Sequence, residues 1–121
     1  MTKHILTIDD EAPILDLLRE ALTAAGYRVT GVSTLAEALR VVQDDSPNLI
    51  LTDLQLEDTD GFEVIDQLKE VAPAIPVILL TGMLFDAEVI RGPIGKKIAA
   101  YVEKTASLAR ILGEVKRHLP S

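Results

Sequence analysis

Three apolar runs along the chain are nearly uniform and rich in β-branched residues, namely His4 to Ile8, Leu49 to Thr52 and Ile75 to Leu80. Strands that are buried on both faces have this pattern, because the side chains on both faces are apolar and the sequence does not alternate with polar residues. Tyr27 to Val32 and Ile98 to Val102 contain more polar or small residues, which is typical of strands nearer the edges of a sheet. The pattern therefore predicts five strands.

Helical patterns lie between and after these strands. Pro13 lies in the first turn of the first helix and Gly26 follows its end, while Thr34 opens the second helix in capping-box spacing. A third helix is predicted to start at Asp60. The last helix has the clearest amphipathic stripe, formed by Leu108, Ile111, Leu112, Val115 and Leu119.

One further helix, between the fourth and fifth strands, is predicted to be short. It begins near Phe85 and ends by about Gly92, because Pro93 lacks an N–H and disfavours helical geometry at the residue before it.

Strands and helices alternate strictly, in the order βαβαβαβαβα. Each parallel connection needs a crossover, and right-handed crossovers place helices on both faces of the sheet. The sequence therefore predicts an α/β fold with a doubly wound, five-stranded parallel sheet. Ligands in such folds bind at the carboxyl ends of the strands.

Composition narrows the class of protein. The chain has 121 residues, of which 48% are hydrophobic, which predicts one domain over residues 1–121. Its formal net charge of -7 disfavours direct binding of nucleic acid, since phosphate binding needs a basic face. We expect a cytoplasmic protein, because there is no cysteine, no signal-peptide pattern and no apolar run near the roughly 20 residues that cross a bilayer.

Polar residues follow four of the five strands. Asp9 and Asp10 follow the first strand, Asp53 the third, Thr81 the fourth and Lys104 the fifth, so all should meet at one edge of the sheet. Three aspartates repel one another there unless a cation neutralises them, and Mg²⁺ suits carboxylates, waters and phosphate oxygens. A lysine and a threonine beside such a site fit phosphoryl transfer, in which positioning and charge neutralisation supply most of the catalysis.

Each residue also has a structural interpretation. Acidic residues such as Asp9 and Asp10 are common at helix N-termini, and an aspartate such as Asp53 often follows a strand. Thr81 with its following glycine is an ordinary turn, and Lys104 could be a surface lysine. The functional hypothesis rests on their joint placement at one edge.

Four motifs resemble those of response regulator receiver domains, including the chemotaxis receivers. They are Ile8-Asp9-Asp10-Glu11, Asp53-Leu54-Gln55-Leu56 leading to Asp60-Gly61, Leu80-Thr81-Gly82, and Tyr101-Val102-Glu103-Lys104. The resemblance covers nearly the whole chain, in the family's order and near its spacings. It implies a flavodoxin-like sheet with strand order 2-1-3-4-5.

The resemblance also implies a mechanism. Asp53 would accept a phosphoryl group, with Mg²⁺ held by Asp10, Asp53 and the main-chain carbonyl of Gln55, and by Asp9 through water. Lys104 would grip the phosphate, and Thr81 with Tyr101 would form the switch. The implied partners are a sensor histidine kinase or phosphotransfer protein, a downstream protein or fused output domain, and a second copy of the chain upon activation.

Two departures from the family lie beside the predicted site. Leu56-Glu57 stands where many members have Met-Pro, and Lys104-Thr105 stands where Lys-Pro is usual. The proline that favours a cis bond after the lysine is therefore missing.

Two other functions remain as alternatives. A phosphatase of the haloacid dehalogenase type also uses Asp, Thr and Lys around Mg²⁺, but it needs an aspartate two positions after the nucleophile, where this chain has Gln55. A pseudo-receiver would bind partners without phosphate chemistry, and the intact Asp, Thr and Lys set argues against it.

His4 and His118 are expected to be structural.

Overall fold

The computed structural model describes residues 2–53, 55–56, 59–81, 97–103 and 106–119. Its main sheet has five strands, β1 (His4–Ile8), β2 (Arg28–Val32), β3 (Leu49–Asp53), β4 (Val77–Thr81) and β5 (Ala100–Glu103). All neighbouring strands run parallel, in the order β2-β1-β3-β4-β5. The predicted doubly wound sheet with order 2-1-3-4-5 is confirmed.

The described part of the chain contains four helices, α1 (Ala12–Ala24), α2 (Leu35–Asp44), α3 (Gly61–Val71) and α4 (Leu108–His118). They cover both faces of the sheet, and the buried side chains therefore form two separate clusters. One cluster joins α1 and α4 to the sheet through residues such as Leu22 and Val115. The other joins α2 and α3 through residues such as Ala38 and Leu68. Every residue of β1 and β3 is buried, as the uniform apolar runs predicted.

The helix ends follow local sequence signals. The hydroxyl oxygen of Thr34 accepts the backbone N–H of Glu37 at 3.2 Å, which caps α2 as predicted. Gly26 follows α1 with a φ of 101°, a conformation that L side chains rarely adopt. Its N–H donates to the carbonyl of Thr23, and the Tyr27 N–H donates to that of Leu22, so α1 ends in a Schellman motif.

The predicted element boundaries differ from the structure at several places. β5 begins at Ala100 rather than Ile98, and α3 begins at Gly61 rather than Asp60. Asp60 instead belongs to a two-stranded antiparallel ribbon, in which Gln55–Leu56 pairs with Thr59–Asp60. Strands of two residues are too short to give an apolar period, so the sequence pattern missed this ribbon. The helix predicted from Phe85 to Gly92 lies outside the described residues.

Candidate functional site

The site lies at the carboxyl edge of the sheet, where two central strands end side by side. Asp9 and Asp10 follow β1, and Asp53 is the last residue of β3. Because Ile8 pairs with Thr52 in the parallel ladder, the next residues along the two strands, Asp9 and Asp53, come to adjacent positions. The strand register thus brings the carboxylates of Asp9 and Asp53 together.

The three aspartates form a compact cluster of oxygen ligands. One carboxylate oxygen from each of Asp9, Asp10 and Asp53 lies within 4.8 Å of the others. Asp9 is fully buried, Asp53 is 6% exposed, and Asp10 is exposed. The site is thus closed on one side and open at Asp10. Its hard oxygen donors suit a divalent cation that also keeps waters or a phosphate oxygen among its ligands.

Asp9 has a structural function in addition. Its carboxylate oxygen Oδ1 accepts the backbone N–H of Glu11 at 2.8 Å, just before the first turn of α1. An acidic group at this position satisfies an N–H at the helix start and interacts favourably with the positive end of the helix dipole. The structural and the functional interpretations of Asp9 therefore apply to the same side chain.

A buried hydroxyl next to Asp53 was missed by sequence reasoning. Thr52 is fully buried in β3, and its Oγ1 donates to the backbone carbonyl of Asp53 at 3.0 Å. Within an apolar run, a threonine is indistinguishable from any other β-branched residue that favours a strand. The contact of its hydroxyl with the backbone of the central aspartate arises only in the folded chain.

The remaining predicted site residues are placed through the backbone. Leu80 of β4 pairs with Asp53, so Thr81 ends β4 one residue further along, at the same edge of the sheet. Thr81 pairs in turn with Glu103, the last residue of β5. Lys104 lies outside the described residues, and Gln55 is placed only as the first residue of the short ribbon.

Tyr101 lies in β5, opposite Leu79 of β4, with 46% of its surface exposed. This exposure puts the predicted switch residue on the outside of the sheet rather than among the three aspartates.

Both histidines lie outside the acidic cluster. His4 begins β1, at the opposite edge of the sheet from Asp9; it is 2% exposed, and its Nε2 is 2.8 Å from the Thr30 hydroxyl oxygen. His118 ends α4, and its Nε2 is 3.5 Å from a carboxylate oxygen of Glu114. Within the described ranges, the three aspartates are the one group of three or more potential metal-binding side chains.

Local contacts and burial shift the pKa values of Arg28, Asp45 and Lys69. The hydrogen bond from Arg28 holds the pKa of Asp45 below its usual range, and the same bond raises the pKa of Arg28. Burial lowers the pKa of Lys69, whose Nζ donates to the carbonyl of Ile75 at 2.7 Å. These groups stabilise strand and helix ends at the amino edge of the sheet.

No helix within the described ranges combines the length and apolar character that crossing a membrane requires.

The family model for the response regulator receiver domain matches residues 5–116. The chain belongs to this family. The receiver domain is 34% identical to the polar-differentiation response regulator DivK of Brucella ovis, over 98% of both chains. It is 42% identical to the phosphate regulon transcriptional regulatory protein PhoB of Pseudomonas aeruginosa, over 65% of this chain and 35% of that protein. Receiver domains of response regulators are signalling domains.

Solved structures agree with this assignment. The receiver domain superposes on a CheY-like receiver domain protein from Methanospirillum hungatei with a TM-score of 0.89 and 28% identity, over 98% of this chain and 94% of that chain. It also superposes on the BeF3-activated DrrB receiver domain with a TM-score of 0.86 and 30% identity, over the full length of both chains.

Several relatives are much longer than this chain. It matches the transcriptional regulatory protein GlrR of Escherichia coli at 37% identity over 64% of its own length, but over 18% of the length of GlrR. The chain therefore spans about a fifth to a third of the transcriptional regulators it matches.

Proposed function

We propose that residues 1–121 act as one receiver domain, which accepts a phosphoryl group from a histidine kinase or phosphotransfer protein on Asp53 in a Mg²⁺-dependent reaction. The observation that supports this most directly is the cluster of Asp9, Asp10 and Asp53, with ligand oxygens within 4.8 Å of one another. Membership of the receiver family supports the choice of reaction.

The proposed reaction is a phosphoryl transfer from a phosphohistidine. A carboxylate oxygen of Asp53 attacks phosphorus, a P–O bond forms, and the P–N bond to the donor imidazole breaks, so the electron pair returns to nitrogen. The product is an acyl phosphate on Asp53. Because Asp53 is 6% exposed, the donor must reach its carboxylate through a restricted opening.

A bound Mg²⁺ would neutralise the carboxylates and the charge that develops on the phosphoryl oxygens. Asp10 and Asp53 would hold it directly, together with the main-chain carbonyl of Gln55, and Asp9 would hold it through water. Lys104 would bind the phosphate from the end of β5. The hydrogen bond between Asp9 and the Glu11 N–H keeps the Asp9 carboxylate in place before the ion arrives.

The signalling step would follow from a local change in charge. The hydroxyl of Thr81 would move toward the phosphate, Tyr101 would follow, and the surface around β5 would change its affinity for partners. Those partners would be a downstream protein, a fused output domain or a second copy of the chain. We place these events in the cytoplasm.

Labelling of the acceptor tests the proposal. Wild-type protein incubated with Mg²⁺ and acetyl phosphate should gain the mass of one phosphoryl group, and the gain should vanish when EDTA removes the ion. The Asp53→Asn variant should gain nothing, since an amide does not attack phosphorus as a carboxylate does.

A matched control removes a carboxylate elsewhere. Asp44 is the exposed last residue of α2, and the next residue, Asp45, pairs with Arg28 at the start of β2. Asp44 therefore lies at the amino edge of the sheet, opposite the acidic cluster, and Asp44→Asn should be labelled like the wild type. Full labelling of Asp53→Asn would place the acceptor on another residue.

A further inference from the structure

Thr52 follows the apolar residues Leu49–Leu51 of the central strand and directly precedes Asp53. It is fully buried in β3, where it pairs with Ile8 of β1 and Leu79 of β4. Side chains alternate along a strand, so Thr52 lies on the same face as Ile50, which packs in the cluster beneath α2 and α3. Valine has nearly the same shape and would satisfy the packing at this position without a polar atom.

The hydroxyl of Thr52 therefore needs a separate explanation. A buried hydroxyl without a hydrogen bond is destabilising, and here Oγ1 donates to the carbonyl oxygen of Asp53 at 3.0 Å. This carbonyl belongs to the peptide group that leaves Asp53 toward Gln55. The bond thus holds the first peptide group after the strand, next to the cluster in which the Asp53 carboxylate lies within 4.8 Å of Asp9 and Asp10.

We propose that Thr52 is a positioning residue for the phosphoryl acceptor, a role that rests on the function proposed above. Fixing the carbonyl oxygen fixes rotation about the Cα–C bond of Asp53. That rotation sets the direction of the side chain relative to the peptide plane and the direction in which the chain proceeds to Gln55. Thr52 thereby fixes the direction in which the Asp53 side chain leaves the backbone, and never touches the phosphoryl group itself. Preorganisation of this kind speeds a reaction in which positioning supplies most of the catalysis.

Two pairs of variants isolate the hydroxyl. Thr52→Val keeps the shape and removes the hydroxyl, whereas Thr52→Ser keeps the hydroxyl and removes a methyl group. Thr52→Ala and Thr52→Ser differ from each other only by the hydroxyl, so this second pair remains informative if valine disturbs the fold. Thr7→Val is the matched control, because Thr7 is also fully buried but donates to the carbonyl of Thr30, in β2.

The measurements are the initial rate of acyl phosphate formation from acetyl phosphate, by intact mass, and the Mg²⁺ concentration that gives half the maximal rate. Thermal unfolding of each variant is recorded alongside. We expect Thr52→Val to remain folded and to melt a few degrees below the wild type, because the Asp53 carbonyl loses a donor, and to react about five- to tenfold more slowly at saturating donor or to need that much more Mg²⁺. Thr52→Ser should stay within about twofold of the wild type, and Thr7→Val should react as the wild type does.

Two results would overturn the proposal. One is a wild-type rate and Mg²⁺ requirement in Thr52→Val. The other is a Thr52→Ser variant as slow as Thr52→Ala, since the hydroxyl would then not be the cause. A wild-type protein that takes up no phosphoryl group would instead refute the proposed function, so the two failures are distinguishable.

Discussion

Replacing Asp10 by asparagine should stabilise the metal-free domain and weaken its response to Mg²⁺. Asp10 is the exposed member of the acidic cluster, and its carboxylate lies within 4.8 Å of those of Asp9 and Asp53. Two unit charges at that distance repel by about 0.9 kcal/mol at the dielectric constant of water and by about 3.5 kcal/mol at an effective value of 20. Because Asp10 faces solvent, the lower figure applies more closely, and its two neighbours together give about 1–2 kcal/mol.

Part of this repulsion persists in the unfolded chain, where Asp9 and Asp10 remain adjacent, so the estimate is an upper value. For a domain of this size, 1 kcal/mol corresponds to about 4 °C in melting temperature. Without metal, Asp10→Asn should therefore melt up to about 4–8 °C above the wild type.

Mg²⁺ should reverse part of this difference. An ion at ten times its Kd stabilises the folded state by about 1.4 kcal/mol, which is about 6 °C for the wild type. If the substitution weakens binding tenfold, the same concentration stabilises the variant by about 0.4 kcal/mol, or less than about 2 °C. The gap between the two melting curves should narrow as Mg²⁺ is added.

The assay is thermal unfolding followed by circular dichroism, with ionic strength held constant by KCl as MgCl2 is varied. Glu20→Gln is the control, since Glu20 is exposed on α1 and its loss changes the net charge by the same amount. The reasoning is refuted if Asp10→Asn melts below the wild type without metal and gains as much from Mg²⁺ as the wild type does.

Three further predictions concern the scaffold. Thr34→Ala should lower the free energy of unfolding by about 1 kcal/mol in urea titrations, because the Glu37 N–H loses its cap. Gly26→Ala should lower it by about 1–2 kcal/mol through backbone strain alone, since a Cβ there would meet nothing within 4 Å; an unchanged midpoint would contradict this. The depressed pKa of Asp45 means that its ion pair with Arg28 stabilises the fold above the ordinary pKa of 3.8 and is lost as the pH falls through the lower folded-state pKa. Asp45→Asn should thus be slightly less stable than the wild type at pH 7, and the difference measured by urea unfolding should shrink below about pH 4.

The fold was predictable because its signals are local and repeated. The uniform runs at His4–Ile8 and Leu49–Thr52 predict strands that are buried on both faces, and both are buried throughout. Thr34 caps its helix as its spacing predicts. Strict alternation then limits the topology to a doubly wound sheet, while the order 2-1-3-4-5 came from the resemblance to a family rather than from the pattern.

The parts that sequence could not supply depend on register and on tertiary contact. Nothing in the local pattern distinguishes the hydroxyl of Thr52 from a valine methyl group, because both favour a buried strand. The ribbon between Gln55 and Asp60 is held by two paired positions on each side, which is below the length at which periodicity is visible. The pairing of Ile8 with Thr52, which brings Asp9 opposite Asp53, is likewise a property of the assembled sheet.

The acidic cluster divides into parts that belong to the fold and a part that does not. Asp9 is fully buried and accepts the Glu11 N–H at the start of α1, and Asp53 closes β3. Both are therefore held by elements that the core stabilises in any case. Asp10 is exposed, and we expect the repulsion from its neighbours to make its charge destabilising in the absence of a cation. Substitutions at Asp10 should consequently raise stability while they weaken metal binding, whereas substitutions at Asp9 should lower both.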